Sequence, residues 1–383
     1  MKKIKLGMLV ILYLVFLSCS SDNTEANVMD NNGQEEEENT SDGGDGNDND
    51  NAAAQFGLGG IISDCPQGDS NLFDTPVNNN LAPVDRSKFG MKSWSLVEAL
   101  SDEFNYDTGV PSQAFKDKWK LGFVNDFTGP IPTVWTGEQV SIEDNGVLVL
   151  EARETGVNAD RRLLCGMIST WAKSSYPLFQ EAKVKISNSQ LANAVWMLSS
   201  DPGTTEEIDN VEAYGPTIRA DGQRAEQDYF TDRIHLSHHT FDNQNGVRLD
   251  YQPKRQTWMS RKKSEGNCSR DNDVVWSEDF HYFGVKWVSP NRLEYFIDGE
   301  LVRVVEGLAV DDGIDPQRYT KCGEGLTREM HMLISHAAQD WRYGSVDNFW
   351  NSSDIKTGEN TKMRIDWLRV YTPTGELNQK SCN

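Results

Sequence analysis

Between Cys65 and Cys382 short runs of alternating apolar and polar positions recur, each bounded by turn residues. Gly146-Val-Leu-Val-Leu-Glu-Ala-Arg153 follows an Asp144-Asn145-Gly146 turn, and Gln180-Glu-Ala-Lys-Val-Lys-Ile186 alternates polar with apolar. Tyr282-Phe-Gly-Val-Lys-Trp287 is closed by Ser289-Pro290-Asn291. Leu293-Glu-Tyr-Phe-Ile297 then meets Asp298-Gly299, a strong two-residue hairpin signal, and Leu301-Val-Arg-Val-Val305 returns from it. Met363 to Tyr371 reads as a closing strand. A period of two buries one face of a strand and wets the other. Long amphipathic helical patterns are absent, and one short helix is predicted from Gln113 to Trp119. Many short strands with regular turn signals predict an all-β fold: a sandwich of two packed antiparallel sheets, one curved into a concave cleft.

The N-terminus departs from this pattern. Lys2, Lys3 and Lys5 precede an apolar run from Leu6 to Leu17, which reads as an export signal over residues 1–19. Leu17-Ser18-Cys19-Ser20 resembles a bacterial lipobox, and the resemblance implies that Cys19 becomes a multiply acylated N-terminus. Membrane contact is then expected through the lipid anchor only, at the outer membrane or cell surface. Residues 20–60 are rich in Asn, Asp, Glu and Gly, with Glu35-Glu36-Glu37-Glu38 at the centre, and predict a disordered acidic tether. One folded domain is predicted over residues 61–383, with no internal repeat.

The formal net charge is −22. A domain this acidic is a poor partner for nucleic acid, where phosphate neutralisation dominates affinity. Cys65, Cys165, Cys268, Cys322 and Cys382 remain after Cys19; five is odd, so at least one is unpaired, and no spacing among them suggests zinc. Eleven Trp are many for 383 residues, and Trp stacks well on the apolar faces of sugars.

The chemistry concentrates in one segment. Ala194-Val-Trp-Met-Leu-Ser-Ser200 and Glu206-Glu-Ile-Asp-Asn-Val-Glu-Ala-Tyr-Gly215 read as two strands joined by a turn containing Pro202 and Gly203. On a regular strand Glu207 and Asp209 share a face, while Glu212 points to the other. One β-bulge between Asp209 and Glu212 would bring all three carboxylates to one face. The two glutamates would then sit roughly 13 Å apart along the backbone, within reach of each other through long side chains. Crowded carboxylates push their pKa values apart, so that one keeps a proton while another stays ionised. That division suits a retaining glycosidase, in which one carboxylate attacks and one carboxylic acid protonates the leaving oxygen. The competing explanation is a solvated acidic strand, which the apolar and aromatic flanks disfavour.

Glu207-Ile-Asp209-Asn-Val-Glu212 resembles the bulged signature of glycoside hydrolase family 16, a β-jelly-roll family. Val195-Trp-Met-Leu-Ser199, Glu212-Ala-Tyr-Gly215, Arg233-Ile-His-Leu-Ser-His-His239, Leu293 to Arg303 and Ile365 to Tyr371 extend the likeness, most of all to its β-agarases. The resemblance covers roughly Trp94 to Tyr371. It implies a β-jelly-roll sandwich, with Glu207 as nucleophile, Glu212 as general acid/base and Asp209 as the helper that tunes them. It also implies endo-hydrolysis of β-1,4 galactosidic bonds in agarose or a related galactan, with retention, by a monomer. His239 resembles an agarase residue that contacts sugar. No cofactor is expected for catalysis, but the family suggests a structural calcium held by Glu103, Asp366 and the backbone of Gly146. Asn210 departs from the pattern, which has an apolar residue there; it should face away from the cleft or occupy the bulge.

Trp135, Trp196, Trp276 and Trp341 are candidate sugar platforms, each with core packing as the alternative. Asn125, Arg161 and Arg162 are candidate polar contacts. Within the same family porphyran, carrageenan or laminarin are alternative substrates, and a sulfated one would need Arg or Lys in the groove. A surface lipoprotein that only binds glycans would keep the aromatic platforms but would have no use for Glu207 and Glu212 together.

Overall fold

The computed structural model describes residues 72–76 and 82–380, apart from 156–161, 201–204, 216–229, 232, 264–272, 311, 321–323, 340–345, 353 and 357. The signal and tether segments, Cys19, Trp341, Arg161 and every other cysteine except Cys165 lie outside the described residues.

In chain order the strands begin with β1 (Leu72–Pro76), β2 (Ser95–Leu96), β3 (Trp119–Leu121), β4 (Thr133–Trp135), β5 (Val140–Glu143), β6 (Val147–Leu150) and β7 (Ala152–Thr155). They continue with β8 (Arg162–Cys165), β9 (Met167–Thr170), β10 (Leu178–Lys185), β11 (Ala192–Leu198), β12 (Thr205–Tyr214), β13 (Ile234–Gln244) and β14 (Val247–Tyr251). The last are β15 (Trp258–Lys262), β16 (His281–Ser289), β17 (Arg292–Ile297), β18 (Glu300–Glu306), β19 (His331–Ala337) and β20 (Met363–Thr372). Among the described residues two short α-helices interrupt them, α1 (Gln113–Lys118) and α2 (Val346–Asn351). The Ser112 hydroxyl caps α1 by accepting from Phe115 N (3.3 Å), and the chain turns extended at Trp119, one residue before the predicted end.

Two large sheets form the sandwich. The cleft sheet runs β1-β15-β13-β12-β11-β19-β9-β3, with β14 added to β13; the back sheet runs β18-β17-β16-β10-β20-β6-β5, with β2 added to β20. Inward residues alternate along each strand: Val195 and Met197 on β11 and Ile208 and Val211 on β12 meet Ala182, Val184, Val285, Ile365 and Leu368 of the back sheet in one core. Burying each of the larger of these side chains stabilises the fold by about 1.5–3 kcal/mol. Asp298 and Gly299 both have positive φ, +50° and +81°, which gives the β17–β18 hairpin the twist its strands need.

The structure adds what alternation cannot reveal. The β1–β15 and β4–β8 pairs are parallel, and β4, β8 and β7 make a small third sheet. Trp276 is not a sugar platform: it is buried in the main core, with its ring 4.8 Å from His281 and 6.0 Å from Phe283.

Both carboxylates of the implied calcium set are partly exposed and have basic partners. Glu103 is held by Arg369 through Nε and Nη2, both at 2.7 Å, and Asp366 by Lys183 at 2.5 Å. Gly146 lies in the turn into β6, with a φ of +75°. A calcium drawing on these oxygens would displace Arg369 and Lys183, surface ion pairs of the weak kind. Cys165 is buried, free, and its thiol is pushed up to about 12 by that burial.

Candidate active site

The bulge expected from the sequence exists. Asp209 pairs with Ser237 and Glu212 with His235, so two residues of β12, Asn210 and Val211, oppose the single Leu236 of β13. Both turn inward: Val211 joins the core, and the Asn210 amide reaches Gln180 O of the back sheet at 3.4 Å. Asn210 therefore faces away from the cleft, as predicted. The extra residue returns Glu212 to the face of Glu207 and Asp209, and all three line one open pocket. Gly215 ends the strand against Ser189, whose carbonyl oxygen would lie 1.6 Å from any added Cβ, so only glycine fits.

Around the acids the pocket is aromatic and small. Trp196 and Trp135 line it, with Ala194 and Ser335 from neighbouring strands. Trp196 Nε1 donates to Ser335 Oγ (3.1 Å), and Trp135 Nε1 donates to His336 O (3.0 Å). The Trp135 ring stacks on Phe123 at 5.4 Å with 12° between planes. These contacts hold two indoles at fixed angles beside the carboxylates, an arrangement suited to a flat sugar face. Asn125 is exposed in a turn, where its Oδ1 accepts from Phe127 N (3.3 Å), and it does not line the pocket. Arg162 likewise lies on β8, outside the pocket lining.

The two glutamates face different partners on β13. Glu212 lies opposite His235, whose Nδ1 is 3.0 Å from Oε2, and the Tyr214 hydroxyl donates to Oε1 at 2.5 Å. Burial pushes the His235 imidazole below its ordinary value, against the pull of Glu212, so it is a neutral partner near pH 7. Trp258 stacks on it at 4.3 Å. Glu207 lies opposite His239, which pairs through Nδ1 with Asp250 of β14 at 2.9 Å. Burial would lower the His239 imidazole, but Asp250, Glu207 and Asp209 together raise it to about 10. Burial and the charge of Asp209 hold Glu207 well above the usual carboxylate range, offset in part by His239 and Arg248. Burial likewise raises Asp209 to about 7, while a hydrogen bond from Glu207 lowers it. Glu207 and Asp209 thus titrate as a pair that keeps a proton at neutral pH.

The sequence does not single out Tyr214, though it lies two positions from Glu212 and strand alternation alone puts it on the same face. Ser335, Asp250 and Arg248 come from strands whose register no local pattern reveals. His238 points into the core, with Nε2 3.0 Å from Ile314 O, opposite in facing to His235 and His239 as predicted. Glu207, Asp209 and His239 are the one group of three metal-type side chains among the described residues, with polar atoms within 4.8 Å of one another. The protonated imidazole offers a metal no lone pair, since metal ligands must be deprotonated.

Comparison with known proteins agrees with this geometry. The sequence model of the β-porphyranase A–D, GH16 domain, matches residues 94–373. A β-agarase of Phocaeicola plebeius is 35% identical over 317 residues, covering 79% of this chain and 92% of that protein. β-Agarase B of Zobellia galactanivorans is 33% identical over 321 residues, covering 78% of this chain and 82% of that protein. Among solved structures, an inactivated mutant β-agarase B in complex with agaro-octaose superposes with a TM-score of 0.61 at 32% identity, covering 73% of this chain and 93% of that one.

Proposed function

The chain belongs to glycoside hydrolase family 16, and on that premise we propose that it is an endo-acting, retaining β-agarase. The observation that carries this reading is the bulge in β12, which places Glu207, Asp209 and Glu212 in one aromatic-lined pocket. In this reading Glu207 attacks the anomeric carbon of the galactose on one side of a β-1,4 bond. Glu212 gives its proton to the departing oxygen, then takes one from the water that hydrolyses the glycosyl-enzyme. Asp209 shares a proton with Glu207 and returns it to the pair as charge moves onto and off the nucleophile. Trp196 and Trp135 hold the sugar chain, so that binding energy fixes the scissile bond over the acids. Cys19 carries the lipid that tethers the exported enzyme at the cell surface.

A porphyranase is the second reading, and one observation favours it. Arg248 of β14 pairs with Asn243 of β13 and so shares the cleft face with His239, close enough to Glu207 to lower its proton affinity. A guanidinium there suits a sulfate ester on the galactan.

Incubating the enzyme with agarose, porphyran, κ-carrageenan and laminarin, and measuring new reducing ends, separates these readings. Agarose should be cut fastest, with products of several sugar units and the β-anomer formed first by NMR. Absence of cleavage on agarose removes the agarase reading; preference for porphyran installs the second. Glu207→Gln should lower kcat by at least about a thousandfold while oligosaccharide binding persists.

A further inference from the structure

We propose that Asp250 is a positioning residue of this site: through His239 it holds a fixed positive charge against the Glu207–Asp209 pair. The inference rests on reading Glu207 as the nucleophile, and it makes the β13–β14 hairpin part of the catalytic apparatus.

Strand register brings the groups together. Glu207 of β12 lies opposite His239 of β13, and Asp250 of β14 lies opposite Phe241, two residues further along the same face. His239 Nδ1 is 2.9 Å from Asp250 Oδ1. With Nδ1 engaged there, Nε2 is the ring nitrogen left to serve the acids, whose oxygens lie within 4.8 Å of the imidazole. The ring cannot swing away, because it stacks on Phe241 at 5.3 Å with 11° between planes.

Two adjacent buried carboxylates cannot both ionise without a counter-charge. The groups that act on His239 come from several elements. β12 contributes Glu207 and Asp209, and β14 contributes Asp250 and Arg248. Its own strand contributes His235 and His238, and β18 contributes Arg303 beneath them. Burial depresses both neighbouring imidazoles, His238 to about 3, so they add no charge at neutral pH. Three carboxylates therefore surround one imidazole, and only Asp250 among them stands outside the reacting pair. Its side chain is about a quarter exposed, while that of His239 is buried. Arg248 supplies a second cation toward Glu207 and is steadied over the Phe241 ring at 3.9 Å.

A merely structural link between hairpin and sheet would use the same contact, so the test changes charge and keeps shape. Asp250→Asn retains an oxygen that accepts from Nδ1–H but removes the anion. His239 should then lose its proton at a pH lower by about three units, a thousandfold change in proton affinity that leaves the ring mostly neutral at pH 8. Imidazole NMR of the folded protein reads this without any substrate. Because the cation exists only below the His239 pKa, its loss moves to lower pH in the variant. The ratio of variant to wild-type kcat/KM should fall less than about threefold at pH 5.5, where the ring is charged in both, and more than about tenfold at pH 8. Asp250→Glu should restore both. A ratio that does not change with pH, or an unmoved His239 titration, overturns the proposal. A wild-type enzyme that releases no reducing ends from any galactan defeats the hydrolase reading instead, and the NMR titration still decides whether Asp250 sets the charge of His239.

Discussion

Glu207 and Glu212 share a strand, a face and a pocket, and each has its own partners. Asp209, His239 and Arg248 act on Glu207, and the Tyr214 hydroxyl and the His235 imidazole contact Glu212. Tyr214 is the residue to test, because its hydroxyl can stabilise the carboxylate that Glu212 becomes after giving up its proton. A hydrogen bond to a charged group contributes about 1.5–3 kcal/mol, so Tyr214→Phe should lower kcat by roughly ten- to a hundredfold with KM within about twofold. Steady-state kinetics on a defined oligosaccharide measures this, and an unchanged kcat would assign the phenol to packing. At this scale the sequence is legible where several residue types converge. Three acids flanked by apolar residues declare a site, but a single indole does not. Trp135 and Trp196 line the pocket while Trp276 fills the core, and composition cannot tell them apart.

At the scale of elements, the site depends on one irregularity in β12 and on what braces it. Where Asn210 and Val211 oppose Leu236, the β13 ladder is interrupted, and side chains from the back sheet reach across the core to its carbonyls. Arg303 donates to Leu236 O, and the Tyr295 hydroxyl donates to Ser237 O. These two bonds pin the backbone beside the bulge. Deleting Asn210 should restore a regular pleat with Glu212 four residues from Glu207 and still on its face, but without the local bend and twist with which the bulge aims it. Turnover should fall at least about tenfold, and the midpoint of urea unfolding, measured alongside, separates lost aim from lost stability. Retained turnover in the deletion would show that the bulge is dispensable. Tyr295→Phe leaves a buried carbonyl without that donor and should cost about 1–3 kcal/mol, with a parallel loss of kcat if the bulge loosens. The strands bounded by turn residues are read from sequence to within two residues, as for β10, β16, β17, β18 and β20, because their residue types recur with a period of two between clear stops. Segments buried on both faces or stabilised by distant partners escape. β8, β9 and β19 are short or almost wholly buried, and the parallel pairing of β4 with β8 is a long-range property that no window of the chain contains.

For the whole molecule, the buried acids and imidazoles make stability a function of pH. Burial raises Glu181 and Glu206 to about 7 from an ordinary 4.5, and it raises Asp209 to the same level. A carboxylate that binds its proton more tightly when folded stabilises the protein fully below its unfolded value, and that contribution is lost as pH rises through about 7. His239, raised to about 10, also contributes stability at low pH and loses it as pH climbs from 6.5 toward 10. His238 and His336, depressed by burial to about 3, act in the opposite sense: their contribution is complete above 6.5 and is lost as pH falls toward 3. Below pH 6.5 the two sets oppose each other; above it only losses remain. Tm should therefore fall between pH 6.5 and 8, each group adding up to about 1.4 kcal/mol per pH unit within its own window. Glu206 is the cleanest probe, because it stands outside the catalytic pocket and holds the Thr327–Arg328 backbone through N–H donors at 2.6 and 2.8 Å. Glu206→Gln keeps an oxygen for those donors and mimics the protonated acid at every pH. Its Tm should match the wild type near pH 4, below the unfolded value, and exceed it at pH 8, which scanning calorimetry in the two buffers would show. A variant whose Tm declines with pH as steeply as the wild type would mean that Glu206 takes no part in the pH dependence, and that the loss of stability above neutrality comes from the catalytic acids and the other buried groups.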